Sequence, residues 1–450
     1  MVTFSGPLTA GTIAIPACVV QFDLAAHGYA EEEFIAAGTA VGYDVAGDES
    51  ADGRWTAVPG EEAEFRTRIV VRRPADAASF SGTVVAEWLN VSSSFDADPD
   101  WAFLHEEIVR AGHAYVAVSA QAVGVMGGTG RIDPSAAPAP GLRGTSPERY
   151  GTLSHPGDRY SFDLFRQVGA ALRTAPGVLG GLRPKRVLAV GESQSAMYLT
   201  SYLNAVQPLW PSAFDGFLVH SRGAGGGPLS GAPIDPLSVK EGIRIRTDNT
   251  VPVFVLETEG DLLPPLAYWR ARQPDTDLFR VWEVAGTSHA DSYLIGAAAP
   301  LMGVRWRINE GPHRYVAQAA LHALVAWAEA GTPPPAAVQV ELAEGPVVVR
   351  DEAGNALGGV RTPFLDAPVF ALSGQPPAGT RHPVGWLFGS TAELPPEYLA
   401  RRYGDEEGYV AAFTASLDAA ISAGFLLPAH REELLATAAA VRFPPVPAPA

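Results

Sequence analysis

The chain has 450 residues, of which 47% are hydrophobic, so it is long enough for one large α/β domain with additions or for two domains. Its formal net charge of −17 argues against nucleic acid or an anionic membrane as a partner, because both attract a basic protein face. Cys18 is the only cysteine, which excludes disulfides within the chain and cysteine-rich metal sites.

The first 80 residues predict strands that are separated by turns. Alternating apolar and polar residues, as in 64–72, are typical of strands, and clusters of Gly, Asp and Pro lie between such runs. Three consecutive glutamates, Glu31 to Glu33, lie in this region. We interpret them as part of a solvated strand or loop and not as catalytic groups.

The next region predicts one unit of a parallel sheet. An apolar strand over 83–90 is followed by a serine-rich loop and a helix that runs towards Ala111, and a second strand occupies 113–119. Strand, helix and strand of these lengths, in this order, are typical of a parallel sheet.

An acidic cluster near the start of that helix has two interpretations. Its carboxylates, spaced like the ligands of a calcium loop, belong to Asp96, Asp98, Asp100 and Glu107. Trp101 stands where a calcium loop needs glycine, however, and Pro99 stiffens the turn. We therefore favour a helix start, with Asp98 as the N-cap and Pro99 as the first helical residue.

Further strands and helices follow, interrupted by two predicted insertions over 124–157 and 222–243. The first is rich in Gly, Pro, Ser and Ala, and loops of its length in compact domains are often functional, whereas the second is rich in glycine. The pattern predicts a helix over 160–173, a strand and helix over 187–203, strands over 214–221, 251–256 and 278–284, and an amphipathic helix over 315–330.

A nucleophile elbow is predicted at Ser193. The apolar run 187–190 ends in the motif Gly-Glu-Ser-Gln-Ser and passes directly into a helical pattern. A serine on such a turn has a strained backbone, and the residues two positions away must be small, which Gly191 and Ser195 are. The segment 286–290 has similar spacing but lacks the order of strand, turn and helix. The alternative is a plain turn serine or helix cap.

His289 is the predicted general base. It lies in a loop of small residues directly after a strand, where an imidazole can reach a nucleophile. Four other histidines lie inside helix or strand patterns and are predicted to be structural, namely His105, His113, His220 and His322.

The acid that orients His289 is predicted in the cluster of Glu257, Glu259 and Asp261, at the end of one strand. Only one carboxylate is needed to hold the imidazole and stabilise its charged form. Glu257 still belongs to the strand, whereas Asp261 lies in the turn. We favour Asp261 over Glu259, and both remain candidates.

Hydrolysis also needs donors for an oxyanion. One is predicted to be the backbone amide of Gln194, the residue after the nucleophile. The second is expected from the loop after an earlier strand, at the amide of Leu89 or Asn90, because this loop has no glycine-rich donor motif. This chemistry needs no cofactor and no metal ion.

The segment after Pro333-Pro334-Pro335 is predicted to be a C-terminal extension. We expect a catalytic domain over 1–335 and an extension over 336–450 that packs on it. The extension predicts short strands over 338–350 and 359–372 and two helical patterns around Gly424, with aromatic residues such as Tyr409 and Phe413 on a buried face. A lid that shapes an acyl pocket and a purely stabilising role are both open.

The chain resembles the bacterial alpha/beta hydrolase domain-containing protein family over nearly its whole length. The segments that carry this resemblance are Gly28-Tyr29, Glu31 to Phe34, Gly38 to Ala40, Glu87 to Val91, Gly191 to Ser195, Gly286 to Asp291 and Gly358 to Pro363. The resemblance implies an α/β-hydrolase fold with a mostly parallel central sheet flanked by helices, N-terminal strands and a C-terminal lid-like extension. It places the family's serine and histidine on Ser193 and His289, and its acid on the cluster 259–261.

The sequence therefore predicts a serine esterase acting on a small-molecule ester. An acyltransferase that uses the same acyl-enzyme is the nearest alternative, and a non-catalytic binding scaffold is a more distant one. No stretch approaches the roughly 20 apolar residues of a membrane span, and the N-terminus lacks the pattern of a secretory signal. We expect a cytoplasmic protein, and the sequence does not predict its oligomeric state.

Overall fold

The protein is described by a computed structural model that covers residues 2–14, 22–130, 137–232, 234 and 242–445. Parts of the two predicted insertions, residues 131–136, 233 and 235–241, lie outside the described residues. The chain divides into two compact units. The first comprises Met1–Val255, Leu266–Arg280 and Leu324–Pro333, and the second comprises Leu256–Pro265, Val281–Ala323 and Pro334–Ala450. The boundary predicted at residue 335 stays a prediction.

A nine-stranded sheet, in the order β1-β2-β3-β5-β4-β6-β7-β8-β9, organises the fold. Its strands are β1 Thr3–Ser5, β2 Tyr29–Val45, β3 Ala57–Pro74, β4 Thr83–Trp88, β5 Ala114–Val118, β6 Arg186–Glu192, β7 Gly216–His220, β8 Val253–Thr258 and β9 Phe279–Val284. β5, β4, β6 and β7 are parallel neighbours, whereas β1, β2 and β3 pair antiparallel with one another and β3 pairs antiparallel with β5. Every residue of β4, β5 and β7 is buried, as expected for strands covered on both faces.

The helices predicted after β4, over 160–173, after β6 and over 315–330 are present, and four short helices that were not predicted accompany them. Together they are α1 Pro99–Arg110, α2 Ala122–Met126, α3 Gly141–Thr145, α4 Pro147–Tyr150, α5 Ser161–Leu172, α6 Gln194–Ser201, α7 Ser292–Ile295 and α8 His313–Ala330. Short 3-10 helices occupy Ala25–His27, Ala77–Ser79, Asp158–Tyr160, Gln207–Leu209, Tyr268–Ala271, Gly296–Ala298, Gly385–Leu387 and Pro428–His430, and a π-helix extends α6 over Tyr202–Val206. The strand, helix and strand predicted over 83–119 are confirmed as β4, α1 and β5. No helix in the described ranges is long and apolar enough to cross a membrane.

The three N-terminal glutamates lie on β2 and form ion pairs with arginines. Glu31 and Glu32 pair with Arg72 and Arg73 at 2.7 Å each. Glu33 is only 3% exposed and bonds to the buried guanidinium groups of Arg68 and Arg149. The strand interpretation is therefore correct, but a solvated environment is wrong for Glu33, since its charge is neutralised inside the protein.

The N-terminus of α1 is stabilised differently from the prediction. Asp98 occupies the N-cap position, but its side chain makes no capping hydrogen bond and pairs instead with Arg72 at 2.8 Å. Glu87, at the end of β4, accepts the amides of Asp100 and Trp101 at 3.1 and 2.8 Å. A carboxylate from a neighbouring strand thus satisfies the first amides of the helix, which have no partner within it.

The C-terminal part of the second unit is built from small sheets and helices. β10 Leu342–Ala343 pairs with β11 Val347–Val348, and β12 Phe370–Ser373 pairs with β13 Ser390–Glu393. The helices are α9 Pro363–Asp366, α10 Pro396–Tyr403, α11 Glu406–Ser422 and α12 Arg431–Ala440. Gly424, with φ 82°, follows α11 where the sequence predicted a break. The strand predicted over 359–372 is wrong in its first half, where α9 forms.

Phe413 is expected to contribute strongly to the stability of this unit. It is 1% exposed, and its ring lies 5.6 Å from that of Phe364 and 5.8 Å from that of Tyr409. We expect Phe413→Ala to lower the free energy of unfolding by about 3–5 kcal/mol. Leu301→Ala is the control, since Leu301 is 90% exposed. Thermal denaturation of both variants measures this, and an unchanged melting temperature together with an altered acyl-length preference would favour the lid role instead.

Candidate active site

Ser193 lies at the sharp turn between β6 and α6. Its backbone has φ 60° and ψ −116°, a combination that non-glycine residues rarely adopt. Its amide donates to the carbonyl of His220 at 2.8 Å, which continues the pairing of β6 with β7 beyond Glu192. The parallel sheet therefore holds the turn in a strained conformation at the carboxyl ends of its central strands.

Close packing at this turn explains its small residues. A Cβ atom added at Gly191 would lie 3.1 Å from the Cβ of Ser195 and 3.0 Å from a methyl group of Leu199. A larger residue at either small position would push β6 and α6 apart. The structure thus places Ser193 in the strand-to-helix setting that the motif requires.

His289 and Asp261 lie together in the second unit. Nδ1 of His289 is 2.6 Å from Oδ1 of Asp261, and both residues are buried. Oδ2 of Asp261 accepts the amide of Thr258 at 2.7 Å. Burial alone would raise the pKa of Asp261, but the charge of His289 and its hydrogen bond, with those from Thr258, outweigh burial and lower that pKa below its ordinary value. The carboxylate is therefore ionised and holds the imidazole in one orientation.

Glu259, the other candidate acid, binds elsewhere in the second unit. Its Oε1 accepts the Arg350 guanidinium at 2.7 Å and the Gly374 amide at 3.0 Å, while its Oε2 accepts the Gly286 amide at 2.9 Å. It is fully buried and ties the loop that carries His289 to two distant segments. The structure therefore brings Asp261, and not Glu259, to the imidazole.

Two further contacts position the histidine loop. The amide of Gly260 donates to the carbonyl of Thr287 at 3.2 Å, which links the turn of Asp261 to the loop of His289. The ring of Trp386 lies 5.7 Å from the imidazole, and the amide of Ala290 donates to the carbonyl of Leu387 at 2.8 Å. Trp386 has no motif around it, so sequence reasoning gave it no role at this loop.

The predicted oxyanion residues lie near the elbow in the first unit. Gln194 is the first residue of α6, and the first amides of a helix have no acceptor within it. The amide of Leu89 donates to the carbonyl of Val118 at 3.2 Å, and that of Asn90 donates to the carbonyl of Ala97 at 2.9 Å. Both predicted second donors are thus bonded to other backbone groups.

The sequence did not reveal two side-chain contacts that join this loop to the elbow. Nδ2 of Asn90 donates to the carbonyl of Glu192 at 3.1 Å. Oε1 of Gln194 accepts the amide of Val91 and the hydroxyl of Ser92, both at 3.3 Å. No sequence spacing links positions about a hundred residues apart, and only the parallel pairing of β4 with β6 makes them neighbours.

A buried histidine and aspartate lie beneath the same edge of the sheet. Nδ1 of His220 is 2.8 Å from Oδ1 of Asp100, and both side chains are fully buried. Burial raises the pKa of Asp100 and of Glu87 well above their ordinary values, and the charge of Asp100 raises the pKa of Glu87 further. The structural role predicted for His220 agrees with this burial.

Asp291, two residues after His289, is expected to make stability depend on pH. Burial raises its pKa from 3.8 to about 7, although it accepts the amide of Leu294 as the N-cap of α7. A raised pKa stabilises the fold below the unfolded-state pKa, and that contribution is lost as the pH rises through 7. Asp291→Asn keeps the cap without the charge. The free energy of unfolding of this variant, relative to that of the unaltered protein, should therefore rise by about 2–3 kcal/mol from pH 5 to pH 8.

Thermal denaturation across this pH range measures the effect. Asp405→Asn is the control, because Asp405 caps α11 from an exposed position by accepting the amide of Gly408. A pH trend of equal size in both variants would show that Asp291 does not titrate near neutrality.

The chain matches the model of one protein family, and that match agrees with the fold. A family model described as alpha/beta hydrolase domain matches residues 4–436. No curated protein matches the chain. Solved structures that it is similar to include a serine hydrolase without a lid from Xanthomonas campestris (12% identity, TM-score 0.33, 57% of this chain and 88% of that chain). Others are fungal esterases from Rhizomucor miehei (11%, 0.32, 64% and 83%) and a glucuronoyl esterase from Solibacter usitatus (9%, 0.30, 63% and 82%).

Proposed function

Because the chain belongs to the alpha/beta hydrolase domain family, we propose that it is a serine hydrolase that cleaves carboxylic esters through an acyl-enzyme on Ser193. The observation that carries the proposal is the strained turn at Ser193, with φ 60° and ψ −116° between a buried parallel strand and a helix. Backbone strain of this kind is retained where the side chain has a chemical task. The cytoplasmic location likewise remains a prediction.

His289 is the proposed general base, and Asp261 is its orienting acid. An ionised Asp261 accepts the Nδ1 proton of the imidazole at 2.6 Å, so the lone pair of the neutral ring is on Nε2. Nε2 then takes the hydroxyl proton of Ser193 as Oγ bonds to the ester carbonyl carbon and the carbonyl π pair moves to oxygen.

The tetrahedral intermediate collapses when the bond to the alkoxide breaks. The imidazolium of His289 gives its proton to the leaving alcohol, and an acyl-enzyme remains on Ser193. Water then attacks the acyl carbon by the same steps and releases the carboxylic acid. The proposed oxyanion donors are the amide of Gln194 and a group of the loop Leu89–Ser92.

Hydrolysis of p-nitrophenyl esters of increasing acyl length tests the function. We expect release of p-nitrophenol that a fluorophosphonate abolishes by modifying Ser193. Adding competing alcohols separates hydrolysis from acyl transfer, because an acyltransferase forms a new ester faster than the free acid. Failure of every ester to react, with no fluorophosphonate adduct, would favour a binding scaffold.

A further inference from the structure

We infer that the second oxyanion contact is made by the amide of Val91 together with the hydroxyl of Ser92, and that the side-chain oxygen of Gln194 occupies both donors until a charged substrate oxygen displaces it. Since this rests on the proposed function, its test also reports whether Ser193 is the nucleophile. The groups concerned all lie in the first unit.

The loop after β4 has four amides, those of residues 89–92, and three of them donate hydrogen bonds that hold the loop in its conformation. Those of Leu89 and Asn90 donate to backbone carbonyls, at 3.2 and 2.9 Å. That of Ser92 donates to Oδ1 of Asn90 at 2.7 Å and closes a tight turn within the loop. Only the amide of Val91 donates to a side chain that comes from outside the loop. It is therefore the one amide of the four that can change its acceptor without unfolding the loop.

Asn90 fixes this loop against the elbow. Besides accepting the amide of Ser92, its side chain donates to the carbonyl of Glu192 at 3.1 Å, and the residue is only 6% exposed. Val91 and Ser92 are thereby held next to the residues on either side of Ser193. The two donors are therefore fixed in advance and need not move when charge develops, and only the side chain of Gln194 has to leave them.

The hydrogen bonds that the Gln194 side chain accepts are weak enough for a charged substrate oxygen to replace them. Its Oε1 accepts the Val91 amide and the Ser92 hydroxyl at 3.3 Å each, longer than the bonds that the amides of Leu89, Asn90 and Ser92 donate. A neutral carboxamide oxygen is a weaker acceptor than an oxyanion, whose hydrogen bonds are shorter and roughly twice as strong. The exchange therefore favours the substrate only once its oxygen is charged, which lowers the barrier instead of tightening ground-state binding.

The exchange follows the bond changes of acylation. As Oγ of Ser193 bonds to the carbonyl carbon, the π pair moves to oxygen, and that oxygen accepts the Val91 N–H and the Ser92 O–H in place of Gln194. When the bond to the leaving alkoxide breaks, the pair returns to the carbonyl, and Gln194 reoccupies the donors. The leaving alcohol takes its proton from His289, so no further reactant is needed.

Variants of the two side chains test this. We expect Ser92→Ala to lower kcat for a p-nitrophenyl ester by about 100-fold with little change in KM, and to slow fluorophosphonate labelling of Ser193 similarly, because the phosphonyl oxygen needs the same donors. Ser92→Thr keeps a hydroxyl and should restore most of the rate. Ser93→Ala, at the exposed neighbour, is the matched control and should leave both rates unchanged.

Gln194→Met distinguishes a Gln194 side chain that leaves the two donors during the reaction from one that must stay bonded to hold the loop in place, which we call a clamp. The substitution keeps the backbone amide and the size of the side chain but removes the acceptor Oε1, so KM should fall and any loss of kcat should be far smaller than the loss in Ser92→Ala. A loss of kcat as large as that of Ser92→Ala would make Gln194 a clamp and overturn the inference. Labelling of Ser193 at an unaltered rate in Ser92→Ala would overturn the inference alone. No labelling of Ser193 in the unaltered protein would overturn the proposed function and this inference with it.

Discussion

Replacing Ser193 by alanine is expected to lower kcat for a p-nitrophenyl ester by about 10⁴-fold or more while the protein stays folded. The hydroxyl is the proposed nucleophile, and without it only background hydrolysis helped by the remaining groups persists. The fold should tolerate the change, because Ala at this turn keeps a Cβ and loses only the oxygen. The strained backbone at φ 60° is imposed by β6, α6 and the bond to the His220 carbonyl, and not by the hydroxyl.

Peptide mapping of the fluorophosphonate adduct checks the assignment directly. Ser195→Ala is the matched control, since Ser195 is fully buried two residues along, and its Oγ has no hydrogen-bond partner among the described residues. The control should keep its activity and its adduct at Ser193. An adduct on any other serine would remove Ser193 from the mechanism. If circular dichroism showed that Ser193→Ala had lost its tertiary structure, its loss of activity would say nothing about the nucleophile.

The parts of the fold that could be predicted depend on local periodicity. Apolar runs predicted β4, β6 and β7, and the change from an apolar run to a helical pattern predicted the turn at Ser193. These signals are local because side-chain direction repeats every two residues in a strand and every 3.6 in a helix. Glycine and proline marked the breaks, as at Gly424, where φ is 82° between two helices.

What could not be predicted depends on partners far away in the chain. Glu87 stabilises the N-terminus of α1 because β4 ends beside it, and local capping rules pointed to Asp98 instead. The loop after β4 offers four adjacent amides, and only the bonds to other strands and loops show which of them is exchangeable. A sequence gives the order of such groups but not which acceptors the fold brings to them.

The sequence also could not decide between the two candidate acids, Asp261 and Glu259. Replacing Asp261 gives the second large expected loss of activity. Asp261→Asn should lower kcat by about 10²–10⁴-fold, because an amide cannot stabilise the imidazolium and favours the wrong tautomer of His289. The 2.6 Å contact and the lowered pKa of Asp261 both indicate an ionised partner of the imidazole. Melting temperature should change little, since Asn fills the same space and can still accept the amide of Thr258.

Glu259→Gln should lower stability more than it lowers kcat, the reverse of what we expect for Asp261→Asn. The Glu259 carboxylate is fully buried and accepts the Arg350 guanidinium and two backbone amides, so the neutral side chain loses charge-assisted bonds and should cost about 2 kcal/mol or more of stability. Its kcat, measured well below its melting temperature, should fall far less than that of Asp261→Asn, because Glu259 holds the loop and does not bond to the imidazole. A larger loss of kcat in Glu259→Gln than in Asp261→Asn would transfer the acid role to Glu259. An unaltered kcat in both variants would show that neither carboxylate orients His289.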